Sequence, residues 1–94
     1  MASKATARHI LVNTEKLARK IKKEIIQNDI TFEKAAKKFS KCSSGKRGGH
    51  LGTFSKGEMV KEFDEVVFSK DLLRIHGPVK TQFGFHLIET TSRY

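Results

Sequence analysis

Two short apolar runs, each with a histidine inside it, stand at opposite ends of the chain: Ala7-Arg8-His9-Ile10-Leu11-Val12 and Phe85-His86-Leu87-Ile88-Glu89-Thr90. Their length and composition read as strands. Side chains alternate along a strand, so His9 shares a face with Leu11, and His86 shares one with Ile88. If the strands are neighbours, the two imidazoles meet near the middle of the sheet. A buried imidazole needs partners for its ring nitrogens. Two histidines and a hydroxyl supply them mutually. Either histidine alone reads more simply as a satisfied core residue, and spacing does not choose between the two.

The segment between these runs is mostly helical in pattern. Leu17, Ala18, Ile21 and Ile25 recur at helical spacing from Glu15 to Asn28, with Lys16, Arg19, Lys20 and Lys23 opposite them. Asn13 or Thr14 caps this helix. Thr31 caps a second one, with Phe32, Ala35, Ala36 and Phe39 on its inner face. Residues 40–50 read as a loop, with room for a short helical turn in 41–48. Leu51–Phe54 reads as a strand. A third helix carries Val60, Phe63 and Val67 inward. Residues 69–75 are irregular, so His50 and His76 both fall in expected loops. Pro78 and Val79 begin another extended segment, and Gln82-Phe83-Gly84 makes a hairpin turn. The order β-α-α-β-α-β-β describes an α+β domain, a small sheet covered by helices.

A chain of 94 residues supports one domain, spanning 1–94. No apolar run approaches the ~18–20 residues of a membrane span. The start, Met1 to Thr6, lacks the apolar core of a secretory signal. The one cysteine cannot form an internal disulfide. A cytoplasmic monomer is expected. The net charge of +9 is concentrated: residues 15–56 carry 12 Lys/Arg against 4 Asp/Glu. A solvated helix face accounts for this, and weak contact of residues 15–47 with nucleic acid or acidic protein is the alternative.

The stretch Cys42-Ser43-Ser44-Gly45-Lys46-Arg47-Gly48-Gly49-His50-Leu51-Gly52-Thr53-Phe54 fits four chemistries. As a metal corner, Cys42, His9, His50 and His86 would be ligands, but no C-x-x-C or H-x-x-x-H spacing accompanies them. As a nucleophile, Cys42 has Lys46 and Arg47 nearby to lower its pKa. A lone cysteine in a small protein is more often a packing residue. As a phosphate cradle, the glycines lack the G-x-x-x-x-G-K-[ST] order. As a pocket wall, Leu51 and Phe54 join Met59 and Phe63, a set that also reads as plain core.

The segments "RHILV" at 8–12, "CSSGKRGGHLGTF" at 42–54, "KGEMVKEFDEVVF" at 56–68 and "GPVKTQFGFHLI" at 77–88 stand in the order and spacing of one family. The chain resembles the parvulin-type peptidyl-prolyl cis/trans isomerases over nearly its whole length. That resemblance implies a four-stranded antiparallel sheet wrapped by helices, of the parvulin/FKBP-like kind. His9 and His86 match the family's paired imidazoles, Thr81 the hydroxyl beside them, and Cys42 a position taken by Cys or Asp. Leu51, Met59 and Phe63 match the pocket for the substrate proline ring, Phe54 an aromatic in the same wall, and Phe83 the entrance. His50 departs from the family's Asp, Glu58 from a frequent Gln, and Glu62 from a frequent Pro or Ala.

The resemblance implies catalysed rotation about X–Pro bonds in peptides and folding proteins, with no cofactor and no metal. Phosphate-directed members insert a long basic loop after the first strand. Here Val12 runs through Asn13 and Thr14 into the helix, so no phosphoserine requirement is expected. A holdase that uses the cleft without catalysis, or a nucleic-acid-binding module on the basic face, is the rival reading.

Overall fold

A computed structural model describes residues 3–94; Met1 and Ala2, which begin the segment read above as lacking a secretory signal, lie outside them. The elements are β1 (Lys4–Val12), α1 (Glu15–Ile26), α2 (Phe32–Phe39), a 3₁₀ turn (Ser43–Arg47), β2 (His50–Ser55), α3 (Lys61–Ser69), β3 (His76–Thr81) and β4 (Gly84–Arg93). The strands form an antiparallel sheet in the order β2-β1-β4-β3. The first and last strands are thus central neighbours.

Caps set the helix starts. The Thr14 hydroxyl accepts from Leu17 N at 3.2 Å, and the Thr31 hydroxyl from Lys34 N at 3.1 Å. Helix α1 stops at Ile26, short of the expected Asn28, because Asn28 turns left-handed at φ 63°. His50 and His76 are not loop residues, as read from sequence. Each opens a strand, His50 opposite Arg8 and His76 opposite Ile88. Backbone pairing decides both, and it leaves no local signature.

The sheet is covered on both faces. On one, Ile10, Val12 and Leu87 pack under α1 and α2 with Ala18, Ile21, Phe32, Ala35 and Ala36. On the other, Ala5, Ala7, Phe54 and Ile88 pack under α3 through Phe63 and Val67. The second face has only one helix over it. Its open end is where β1 and β4 bring their histidines.

Candidate active site

Register places the two histidines. Strand β1 runs against β4 with His9 opposite Ile88 and Leu11 opposite His86. The imidazoles are therefore diagonal neighbours on the α3 face, both buried. Their Nδ1 atoms lie 3.0 Å apart. The outer nitrogens are also taken: His9 Nε2 meets the Ser44 hydroxyl at 3.2 Å, and His86 Nε2 meets the Thr81 hydroxyl at 2.7 Å. Thr81 Oγ1 in turn accepts from Phe83 N at 3.1 Å. Five groups thus form an unbroken chain, from the 3₁₀ turn to the β3–β4 hairpin.

Both rings are held neutral. Burial, and then repulsion from His86, lowers His9 to about 4, and burial lowers His86 below its ordinary value. Each neutral ring carries one N–H, so one Nδ1 donates and the other accepts. Phe63 covers the pair edge-on, its centroid 5.4 Å from each imidazole.

Above the pair opens an apolar cavity of about 250 Å³. His9 and His86 form its floor. Leu51 from β2, and Met59, Val60 and Phe63 at the start of α3, form one wall. Leu11 and Cys42 stand at the side, and Phe83, 59% exposed, stands at the mouth. Leu11 and Val60 were not read from sequence as pocket residues. Phe54 was, but it does not reach the cavity: it is buried behind Phe63, ring centroids 6.4 Å apart, and supports the wall from the core.

Cys42 is positioned by backbone. The Ser40 hydroxyl accepts from both Leu11 N and Cys42 N, at 3.1 and 3.3 Å. Lys41 N donates to Leu11 O at 2.7 Å. These bonds fasten the start of the 3₁₀ turn to the end of β1. Burial raises the Cys42 thiol, but hydrogen bonds from Ser44 and Ser43 outweigh it and leave the thiol below its ordinary value. His50, which the resemblance sets where an Asp is usual, is half exposed, and its Nε2 lies 3.8 Å from Glu33 on α2, outside the cavity. Among the described residues no three His, Cys, Asp or Glu side chains gather as metal ligands.

Ser44 was not singled out from sequence. Its serine follows Cys42 and Ser43 without any distinguishing mark. Only the tight 3₁₀ turn, seated on α2 through Gly45, aims its hydroxyl at His9.

The geometry has close counterparts. The PPIC-type PPIASE domain model, Rotamase, matches residues 3–92. The foldase protein PrsA 1 of Bacillus cereus is 43% identical over 86 residues, covering 90% of this chain and 30% of its own. The foldase protein PrsA of Exiguobacterium sibiricum is 44% identical over 89 residues, covering 93% of this chain and 29% of its own. The chain thus spans about 30% of the length of these curated relatives. The crystal structure of the peptidylprolyl isomerase PrsA from Bacillus anthracis superposes with a TM-score of 0.92 at 34% identity, over 99% of this chain and 43% of that one. NmPin, the parvulin of Nitrosopumilus maritimus, superposes with a TM-score of 0.85 at 34% identity, over 98% of this chain and 99% of that one. The chain belongs to the PpiC-type peptidyl-prolyl cis/trans isomerase family, the parvulin-type rotamases.

Proposed function

We propose that this domain accelerates rotation about X–Pro bonds in peptides and folding proteins, without a phosphate on the preceding residue and without a covalent intermediate. The observation that carries this is an apolar cavity with two neutral, fully hydrogen-bonded imidazoles as its floor. A planar amide is held by resonance, and rotating it costs ~18–20 kcal/mol. Resonance separates charge across the bond. An apolar, water-poor site disfavours that form relative to the twisted one. A proline ring seated among Leu51, Met59 and Phe63 leaves the preceding carbonyl free to swing. Each ~1.4 kcal/mol of differential binding is worth tenfold in rate.

The histidines act in this scheme as a fixed polar floor and not as proton shuttles. Their four ring nitrogens are already paired with each other, Ser44 and Thr81. No hydrogen bond joins Cys42 directly to either ring, and burial weakens both rings as bases, which favours a non-covalent role for the thiol over nucleophilic attack. The test is exchange between cis and trans X–Pro peptides, followed by magnetisation transfer. Cys42→Ser and Cys42→Asp should keep turnover, and Met59→Ala should lower it at least tenfold with little change in unfolding midpoint. Turnover abolished in both folded Cys42 variants overturns the non-covalent reading, and an unaffected Met59→Ala overturns the placement of the proline ring.

Relatives named as foldases, and neighbours titled as chaperones, favour a second reading in which the cleft also holds unfolded chains. Suppression of aggregation retained by Met59→Ala separates it from isomerisation.

A further inference from the structure

On the face of the sheet opposite the cavity, α1 and the segment before β3 enclose a second groove, of about 620 Å³. Ile25 and Ile75 are half-buried in it, and Ile26 and Leu73 stand at its rim, 63% and 68% exposed. Leu73 is held there at φ 60°, its backbone N–H bonded to Thr90 O at 2.9 Å. A left-handed leucine is unusual in itself, and this one displays its side chain to solvent. Nothing in the core requires that side chain: it is absent from both clusters packed on the sheet.

The charges around this groove are unequal. Lys22, Arg74, His76 and Glu89 line it, and Arg19 and Lys23 line the shallower hollow that continues it past Ile26. The one carboxylate, Glu89, is taken by Arg8 at 2.5 Å. Arg19 meets Glu15 at 2.7 Å, and Asp71 stands 3.9 Å from Arg74. Lys22 donates to Gly77 O at 2.8 Å, which fixes α1 to β3 and leaves the ammonium without a counter-ion. Among the described residues neither Lys22 nor Lys23 has a carboxylate within ion-pair distance. Aliphatic side chains flanked by unneutralised lysines suit an occupant with the complementary pattern.

We propose that this groove is a second docking site for the polypeptide substrate, taking a segment that carries two aliphatic or aromatic residues flanked by Asp or Glu. The proposal rests on the isomerase reading and adds where the client is held. The cavity and the groove lie on opposite faces, so the client passes around the β3 edge. The molecule measures 26 Å across its middle axis. An extended chain covers that distance with on the order of ten residues at ~3.3 Å each. A short peptide therefore cannot occupy the cavity and the groove at once, and an unfolded protein can.

Three peptides test this: a five-residue X–Pro peptide; a 25-residue peptide with the same X–Pro bond and a Glu-Leu-Glu-Phe-Asp segment ten residues away; and a copy with Lys replacing Glu and Asp. The acidic long peptide should show a KM about tenfold below the lysine copy, with the difference shrinking as salt is added. It should also shift the methyl signals of Ile26 and Leu73. Leu73→Gly, which suits the left-handed backbone, combined with Lys23→Glu, should erase the difference and leave five-residue turnover unchanged. Equal KM for the two long peptides, or methyl shifts that the lysine copy reproduces, overturns the proposal. So do methyl shifts that appear with protein concentration alone, which would make this face a contact between copies. Absent turnover of the five-residue peptide, with the acidic peptide still shifting these methyls, would remove the isomerase reading and leave the groove.

Discussion

A histidine in water takes up a proton near pH 6.5, and His9 inside this sheet does so only near pH 4. Between those values the unfolded chain binds more protons than the folded one. The stability that the neutral ring contributes is therefore complete above about pH 6.5 and is lost as pH falls toward 4. For His9 alone the loss amounts to roughly 3 kcal/mol, and His86, lowered by the same burial, adds to it in the same direction. Urea unfolding at pH 7.5 and pH 4 measures it. His9→Phe should lose less stability across that interval than the unaltered chain, and an equal loss would show that His9 titrates normally in the fold. Which face each ring occupies was legible in sequence, because a period of two fixes which side chains share a face; that the two rings meet was implied only by the family resemblance and depends on the β1–β4 register. Ser44 was not, because its hydroxyl reaches His9 only through the 3₁₀ turn. Phe54 marks the opposite limit: its burial was legible, but whether it lay before or behind Phe63 depends on packing between β2 and α3.

Among the elements, the segment from Cys42 to Phe54 carries the most geometry per residue. It starts after α2, fastened beside the end of β1 by the Lys41 N to Leu11 O bond, turns over α2, and enters the sheet at His50. Two glycines in left-handed conformations make that return, Gly48 at φ 72° and Gly49 at φ 86°. Gly49 also passes so close to β1 that a Cβ there would run into the His9 carbonyl oxygen. Gly52, at φ 73°, is left-handed too, but a Cβ there meets nothing within 4 Å. The two positions separate strain from contact. Gly52→Ala should cost about 1–2 kcal/mol, the left-handed penalty alone. Gly49→Ala should cost clearly more and displace the His9 backbone, with changed His9 and His86 ring signals in the NMR spectrum. Equal losses of unfolding free energy would deny the close approach. The glycines announced a turn in the sequence, and Thr14 and Thr31 announced their helices. The short helical turn expected within 41–48 is the 3₁₀ turn Ser43–Arg47; its exact bounds were not legible, since five residues are too few to show a period.

At the scale of the whole molecule, the sheet brings the two ends of the chain side by side, and everything the cavity needs hangs from that pairing. The β-α-α-β-α-β-β order was readable from caps and periodicity. The strand order β2-β1-β4-β3 was not, because pairing between residues some eighty positions apart leaves no local mark. One consequence concerns substrate choice. Between Val12 and Glu15 only Asn13 and Thr14 connect β1 to α1, so no long basic arm extends from that end of the sheet. The unpaired cations described above lie on α1, against the sheet face opposite the cavity. No arginine or lysine is among the residues that line the cavity, which are Leu, Met, Val, Phe, Cys and the two neutral histidines. Charge-assisted recognition of a phosphate on the residue before proline needs an arginine fork held in place. Five-residue peptides with Ala, Leu, Glu or phosphoserine before proline, compared by kcat/KM at ~0.15 M salt where long-range attraction is screened, should therefore show phosphoserine no better than Leu. A phosphoserine advantage above about tenfold, worth ~1.4 kcal/mol in the transition state, would mean that cations of the 3₁₀ turn such as Lys46 and Arg47 reach the substrate, and would overturn this account of specificity.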